Sequence, residues 1–147
     1  MARLKQAVAT SAGGIVIRFV DGDPQLVVGK RKRERDGVTW TLPKGTPHAQ
    51  ETTEETAIRE VREETGLDVS IVAPIGVTDY WFAVPGERVH KFVHFFLMRA
   101  DGGDVSRHDQ EYDDVRWVSA REARRMLSYE TYREVLDRAI DATRSAA

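Results

Sequence analysis

Short apolar-rich runs over 6–10 and 14–20 read as two strand segments with a possible bulge at 11–14. The turn residues Asp21-Gly-Asp-Pro24 follow, then an apolar strand over 25–32 that ends in charge. Residues 34–37 turn the chain into a strand at 38–42. The pattern then changes to that of a helix starting near Thr53. Ala57, Ile58, Val61 and Thr65 form a stripe able to pack on a sheet. Thr52 with Glu55 three residues later fits a capping box, and Gly66 suits the left-handed position past the helix end. Glu55 also stands four residues before Arg59, the favourable order for a surface pair. Strand character returns at 69–73 and 76–83, and Pro85-Gly86 marks a hairpin into 89–99. A polar stretch over 101–114 leads to a strand at 115–118. Ser119 and Glu122 form a second capping box for a helix over 120–127, and 131–142 is a last amphipathic helix. Strands with few, interspersed helices predict an α+β fold or a mixed β-sheet between helices.

Within the first helix, Glu60, Glu63 and Glu64 fall at i, i+3 and i+4, within one arc of roughly 100°. Like charges at that spacing repel by about 0.2–0.5 kcal/mol per pair on an isolated helix. Folding gains nothing from this, whereas a divalent cation over the three carboxylates would turn repulsion into binding. The plainer reading is a solvated acidic face, but it explains neither the clustering nor the loop before it. That loop, Trp40-Thr-Leu-Pro-Lys-Gly45, is a short apolar strand ending in Pro43 and Gly45, suited to aim a main-chain carbonyl at a cation. Mg²⁺ accepts carboxylate, carbonyl and water ligands together.

Gly45-x5-Glu51-x7-Arg59-Glu60-Val61-x-Glu63-Glu64-x-Gly66-Leu67 resembles the signature of the Nudix hydrolases at every specified position. The resemblance implies one Nudix domain over 1–147 with an α/β/α sandwich fold. It also implies hydrolysis, by water attack at phosphorus, of a nucleoside diphosphate linked to another group. By the same resemblance Glu60, Glu63 and Glu64 are metal ligands, with Glu60 or Glu64 beside the attacking water. The Lys44 carbonyl is a further ligand, and Arg59 and Glu51 tie the loop to the helix. The implied cofactor is Mg²⁺, with Mn²⁺ as a possible substitute. No covalent intermediate is implied, and the chain has no cysteine to serve as a thiolate nucleophile. The five residues after Gly45, Thr-Pro-His-Ala-Gln, lack the Gly that relatives often place before the equivalent of Glu51, which puts loop shape and substrate preference in question.

Substrate class rests on residues outside this stretch. The basic segments Lys30-Arg-Lys-Arg33 and Arg88-Val-His-Lys91 could meet phosphate oxygens. Alternation puts Arg31 and Arg33 on one face and Lys30 and Lys32 on the other, so one pair at most faces the site. Flanking charges on a hairpin are the plainer reading. The Leu-Pro-Lys44-Gly loop, the Tyr80-Trp81-Phe82 run and His90-Lys91 resemble the dinucleoside polyphosphate hydrolases and the related diphosphoinositol polyphosphate hydrolases. That likeness implies phosphate contacts from Lys91 and His90. Tyr80 or Phe82 could stack a base or pack the core. Asp109, Glu111, Asp113 and Asp114 are candidates for an extra catalytic carboxylate, or they form a solvated acidic loop. Glu111 is best placed, as a base or a metal ligand. His48 and His108 are lone histidines in polar loops and are not read as bases.

The length of 147 residues fits one domain with a real core. The net charge of −2 gives no pull toward nucleic-acid polymers, so the expected partner is a small nucleotide. Met1–Lys5 is too short and polar for a signal peptide, and no apolar run reaches the ~18 residues of a membrane span. A cytoplasmic monomer or homodimer is expected. The leading substrate is a dinucleoside polyphosphate such as diadenosine tetraphosphate. Oxidised or other nucleoside triphosphates, diphosphoinositol polyphosphates and ADP-ribose-type sugars are the enzymatic alternatives, and a non-catalytic nucleotide-binding module is the other class.

Overall fold

The computed structural model describes residues 4–33 and 37–145. Its elements are β1 (Lys5–Val20), β2 (Asp23–Arg33), β3 (Gly37–Thr41), β4 (Lys44–Gly45), α1 (Thr53–Thr65), β5 (Leu67–Val84) and β6 (Glu87–Gly103). A single 3-10 turn at Val105–Arg107, then β7 (Asp114–Ser119), α2 (Ala120–Met126) and α3 (Glu130–Ser145) complete the described chain. The expected turn at 34–37 and the chain end at 146–147 fall mostly outside the described residues, as do residues 1–3.

The strands form one mixed sheet in the order β3-β2-β1-β6-β5, with β4 on β1 and β7 on β2. β1 runs parallel to β6 and the other pairings are antiparallel. Helices cover both faces, so the central strands are apolar on both sides, as a doubly covered sheet requires. Ile15, Ile17, Leu26, Val28, Val93, Phe95 and Leu97 face one way, against Ala123 and Leu127 at α2 and Val135, Leu136 and Ala139 on α3. Their neighbours Ala12, Val16, Val27, Phe96 and Met98 face the other way, against Ala57 and Val61 of α1. This is the expected α+β sandwich of a mixed β-sheet between helices.

Two strand expectations need correction. No bulge interrupts β1: its register with β6 runs unbroken from Lys5 opposite Glu87 to Val16 opposite Met98. Gly13 instead makes room for a neighbour, since a Cβ there would lie 2.2 Å from the Pro43 carbonyl oxygen. The segments expected at 69–73 and 76–83 form one strand, β5, whose register against β6 shifts three times, at 68/69, 71/73 and 74/76. Pro74 falls within it because β5 is a sheet edge, where a missing donor costs little. Among the described residues no helix is long and apolar enough to cross a membrane.

Candidate active site

The capping box forms as expected: Glu55 N–H donates to Thr52 Oγ1 and Thr52 N–H to Glu55 Oε1, each at 3.1 Å. Gly66 takes the left-handed φ of 80° and donates to the Arg62 carbonyl. With its carboxylate used in the cap, Glu55 does not form the expected pair with Arg59. Arg59 turns instead to Glu51 in the preceding loop, donating from Nε at 2.7 Å and Nη2 at 2.9 Å. The same guanidinium reaches the Thr46 carbonyl at 2.9 Å, Glu60 at 2.8 Å and Glu63 at 3.3 Å. Glu51 also accepts from the His48 N–H and the Thr56 hydroxyl. Arg59, then the His48 amide, hold the Glu51 carboxyl well below the usual carboxylate range. Glu51 in turn raises Arg59 above its ordinary value. The expected tie between loop and helix is thus built around one arginine.

The three glutamates span the edge of the packing face of α1. Glu63 is half exposed, Glu60 is largely covered, and Glu64 is only 2% exposed. β4 brings Gly45 beside β1, with Ala12 opposite it, and the Glu60 carboxyl fills the space where a side chain would stand. A Cβ on Gly45 would lie 2.1 Å from Glu60 Cδ. Glu64 meets Arg31 Nη2 at 2.8 Å through Oε1, while its buried Oε2 finds no partner among the described residues. Burial pushes Glu64 up to about 8, with Glu60 and Asp109 adding to the rise and Arg31 and a Lys44 backbone hydrogen bond opposing it.

These donors fit a hard divalent cation. They are carboxylate oxygens, and one of them, Glu64 Oε2, is buried without a hydrogen-bond partner among the described residues. Among the described residues no three acidic, histidine or cysteine side chains are gathered as a cage, and the three glutamates are ion-paired with Arg59 and Arg31.

A cavity of about 340 Å³ adjoins these groups. Arg31 and Lys44 supply cations, Tyr80, Tyr129 and Tyr132 supply aromatic walls, and Leu42, Val93 and Phe95 supply apolar lining. The Lys44 ammonium stands 6.0 Å from the Tyr80 ring, and the Arg31 guanidinium 4.9 Å from that of Tyr112. Tyr112 shares a 3.0 Å hydrogen bond with Thr41, and burial pushes its phenol well up, so it stays protonated. Tyr112, Tyr129, Tyr132 and Thr41 were not read as site residues from sequence. Tyr112 lies in an acidic loop and Tyr129 and Tyr132 at the start of a helix, with no local signal that they converge.

The remaining candidates divide. Arg31 faces the site. The side chain of Arg33 lies outside the described residues. Lys91 is opposite Tyr80 in the hairpin register, on the cavity side, and burial lowers its pKa. It does not line the cavity itself. His90 corrects the paired expectation: consecutive strand residues face opposite ways, and His90 bonds Asp79 at 2.7 Å and stacks on Trp81 at 4.1 Å on the other face. Glu111 is exposed and reaches Arg31 at 3.5 Å, which brings it to the site through that arginine. Asp109 donates its N–H to the Glu63 carbonyl. Asp113 accepts from the Lys32 N–H and Asp114 pairs with Arg116, away from the glutamates. His48 offers the site its backbone N–H, and the His108 ring bonds the Asp109 carbonyl.

Known proteins share the sequence pattern and the fold. The chain matches the NUDIX domain family over residues 10–139. It is 46% identical over 150 residues to a Mycobacterium tuberculosis protein named "Putative mutator protein MutT4", covering 97% of this chain and 60% of that one. It is 36% identical over 122 residues to an RNA pyrophosphohydrolase of Xylella fastidiosa, covering 72% of this chain and 62% of that one. The chain therefore spans about three fifths of the length of each of these relatives. Its fold is shared with the crystal structure of a C. elegans Ap4A hydrolase, at a TM-score of 0.70 and 17% identity, over 95% of this chain and 99% of that one. The match across residues 10–139, with the complete glutamate box on α1, makes this chain a member of the Nudix family.

Proposed function

We propose that this chain is a Mg²⁺-dependent pyrophosphohydrolase that cleaves a phosphoanhydride bond in a nucleoside polyphosphate, with a dinucleoside polyphosphate as first candidate. The observation that carries the reading is the placement of the buried Glu64 near Glu60, paired with Arg31, which itself lines a cavity of cations and tyrosines. Glu60, Glu63, Glu64 and the Lys44 carbonyl would hold the ion, with Glu111 at the rim as a further ligand or base. When bound, Mg²⁺ neutralises charge on phosphate oxygens and acidifies water.

The chain's own groups do the rest. Glu60 or Glu64 accepts the proton as water oxygen bonds to phosphorus and the anhydride P–O bond breaks. Arg59 and Glu51 hold the helix and loop in register. Arg31, Lys44 and Lys91 offset phosphate charge in the leaving group. Tyr80 and Tyr129 offer faces on which a base can stack.

The cavity also supports a second substrate reading. About 340 Å³ with aromatic walls suits one enclosed base as well as the end of a longer nucleotide. An oxidised purine nucleoside triphosphate fits that shape, and the mutator name of the mycobacterial relative is in keeping with it. Product identification separates the readings. Incubation of the protein and Mg²⁺ with diadenosine tetraphosphate, 8-oxo-dGTP and 5′-triphosphate RNA, followed by chromatography, is expected to yield ATP and AMP from the first. Preferred release of pyrophosphate from 8-oxo-dGTP would move the assignment to the second.

A further inference from the structure

Two arginines serve the carboxylates of α1, and they are held in opposite ways. Arg59 is fully engaged, forked onto Glu51 and anchored on the Thr46 carbonyl. Arg31 meets Glu64 end-on through Nη2 alone, at 2.8 Å, with the exposed Glu111 at 3.5 Å from the same nitrogen. Its buried Nε finds no hydrogen-bond partner among the described residues. Among the described residues, the only other buried side-chain polar atom in that condition is Glu64 Oε2. Both orphans thus belong to one ion pair. Buried polar atoms are nearly always satisfied, so a pair leaving a donor and an acceptor over makes a poor permanent strut.

We infer that Arg31 is an exchangeable counter-ion. It compensates Glu64 in the metal-free protein, is displaced from Glu64 when the divalent cation binds, and is thereby released to the cavity it already lines. The inference rests on the metal-site reading above. Whenever Glu64 is ionised it needs a positive neighbour, because a bare carboxylate at 2% exposure is unstable alone. The guanidinium and the cation compete for the same carboxylate, so Arg31 lowers the apparent affinity for metal by the cost of its own displacement.

The test is calorimetric titration of Mg²⁺ into the metal-free 147-residue chain and into Arg31→Met. Mg²⁺ is expected to bind the variant about tenfold or more tightly. The variant should melt below the wild type without metal, and that gap should close at saturating Mg²⁺. A second readout needs only the folded wild type. The ¹⁵N side-chain Nε–H resonance of Arg31, identified by its loss in Arg31→Lys, should move further than that of Arg59 as Mg²⁺ is added. Unchanged affinity with a melting gap that persists in Mg²⁺, or an Arg31 resonance indifferent to bound Mg²⁺, would make Arg31 a fixed strut. If wild type and variant both fail to bind Mg²⁺, the metal-site reading itself is contradicted and the exchange with it. Binding that ignores Arg31 contradicts the exchange alone.

Discussion

Arg59 grips Glu51 with two parallel hydrogen bonds, at 2.7 and 2.9 Å, and so joins the residue-46 to residue-52 loop to the helix that carries the glutamates. The geometry depends on a planar guanidinium, because an ammonium keeps the charge without the fork. Arg59→Lys is expected to lower kcat/KM by about 10–100-fold, the range for losing a partner that orients ligands. Circular dichroism should show the fold unchanged while initial rates fall.

Gly45 has no room for a methyl group, since the Glu60 carboxyl occupies its place. In Gly45→Ala either Glu60 or the β4 loop must move. Mg²⁺ affinity, read by calorimetry, is expected to fall about tenfold or more. An alanine variant with wild-type affinity would show that the contact between Glu60 and Gly45 does not shape the metal site.

Burial raises Glu64 from 4.5 to about 8 in the metal-free fold. The folded protein therefore holds this proton more tightly than the unfolded chain. The resulting stabilisation is complete below pH 4.5 and is lost as pH rises toward about 8. Melting temperature measured in chelator should decline across that window more steeply for wild type than for Glu64→Gln. Parallel slopes in the two proteins would count against this titration. Saturating Mg²⁺ should flatten the wild-type decline by stabilising the ionised carboxylate.

Tyr80 and Tyr129 line the cavity and are each partly exposed. If they stack a base, Tyr80→Ala and Tyr129→Ala lose binding in ground and transition states alike. Base stacking on an aromatic is worth about 1–3 kcal/mol, so KM should rise by roughly five-fold or more with kcat nearly constant. A fall in kcat at constant KM would place these rings in the chemistry instead.

Local signals made much of this molecule legible from sequence. Thr52, Glu55 and Gly66 define α1 within a few residues, and the Gly45–Leu67 pattern named the family. What sequence could not resolve depends on neighbours distant along the chain. Glu60, Glu63 and Glu64 share an arc, but only the packing of α1 against the sheet makes Glu64 buried and Glu63 half exposed. Alternation left Arg31 and Lys30 as rival faces. The placement of β2 between β3 and β7 sets Arg31 toward Glu64 and Lys30 toward Trp40. The same alternation separates His90 from Lys91, which family likeness had treated together. Tyr112 joins the site only because β7 pairs with β2 and carries the loop before it over Arg31.

The role proposed for the α1 carboxylates is metal-dependent phosphoanhydride hydrolysis. It is tested most directly by the rate of diadenosine tetraphosphate cleavage in wild type and Glu64→Gln, with Mg²⁺ and with chelator. With Mg²⁺ the wild type is expected to turn over and Glu64→Gln to be about 10²–10⁴-fold slower, the scale for removing a group that moves a proton in the transition state, and chelator should abolish turnover. Cleavage that survives both chelator and the Glu64→Gln exchange would contradict it.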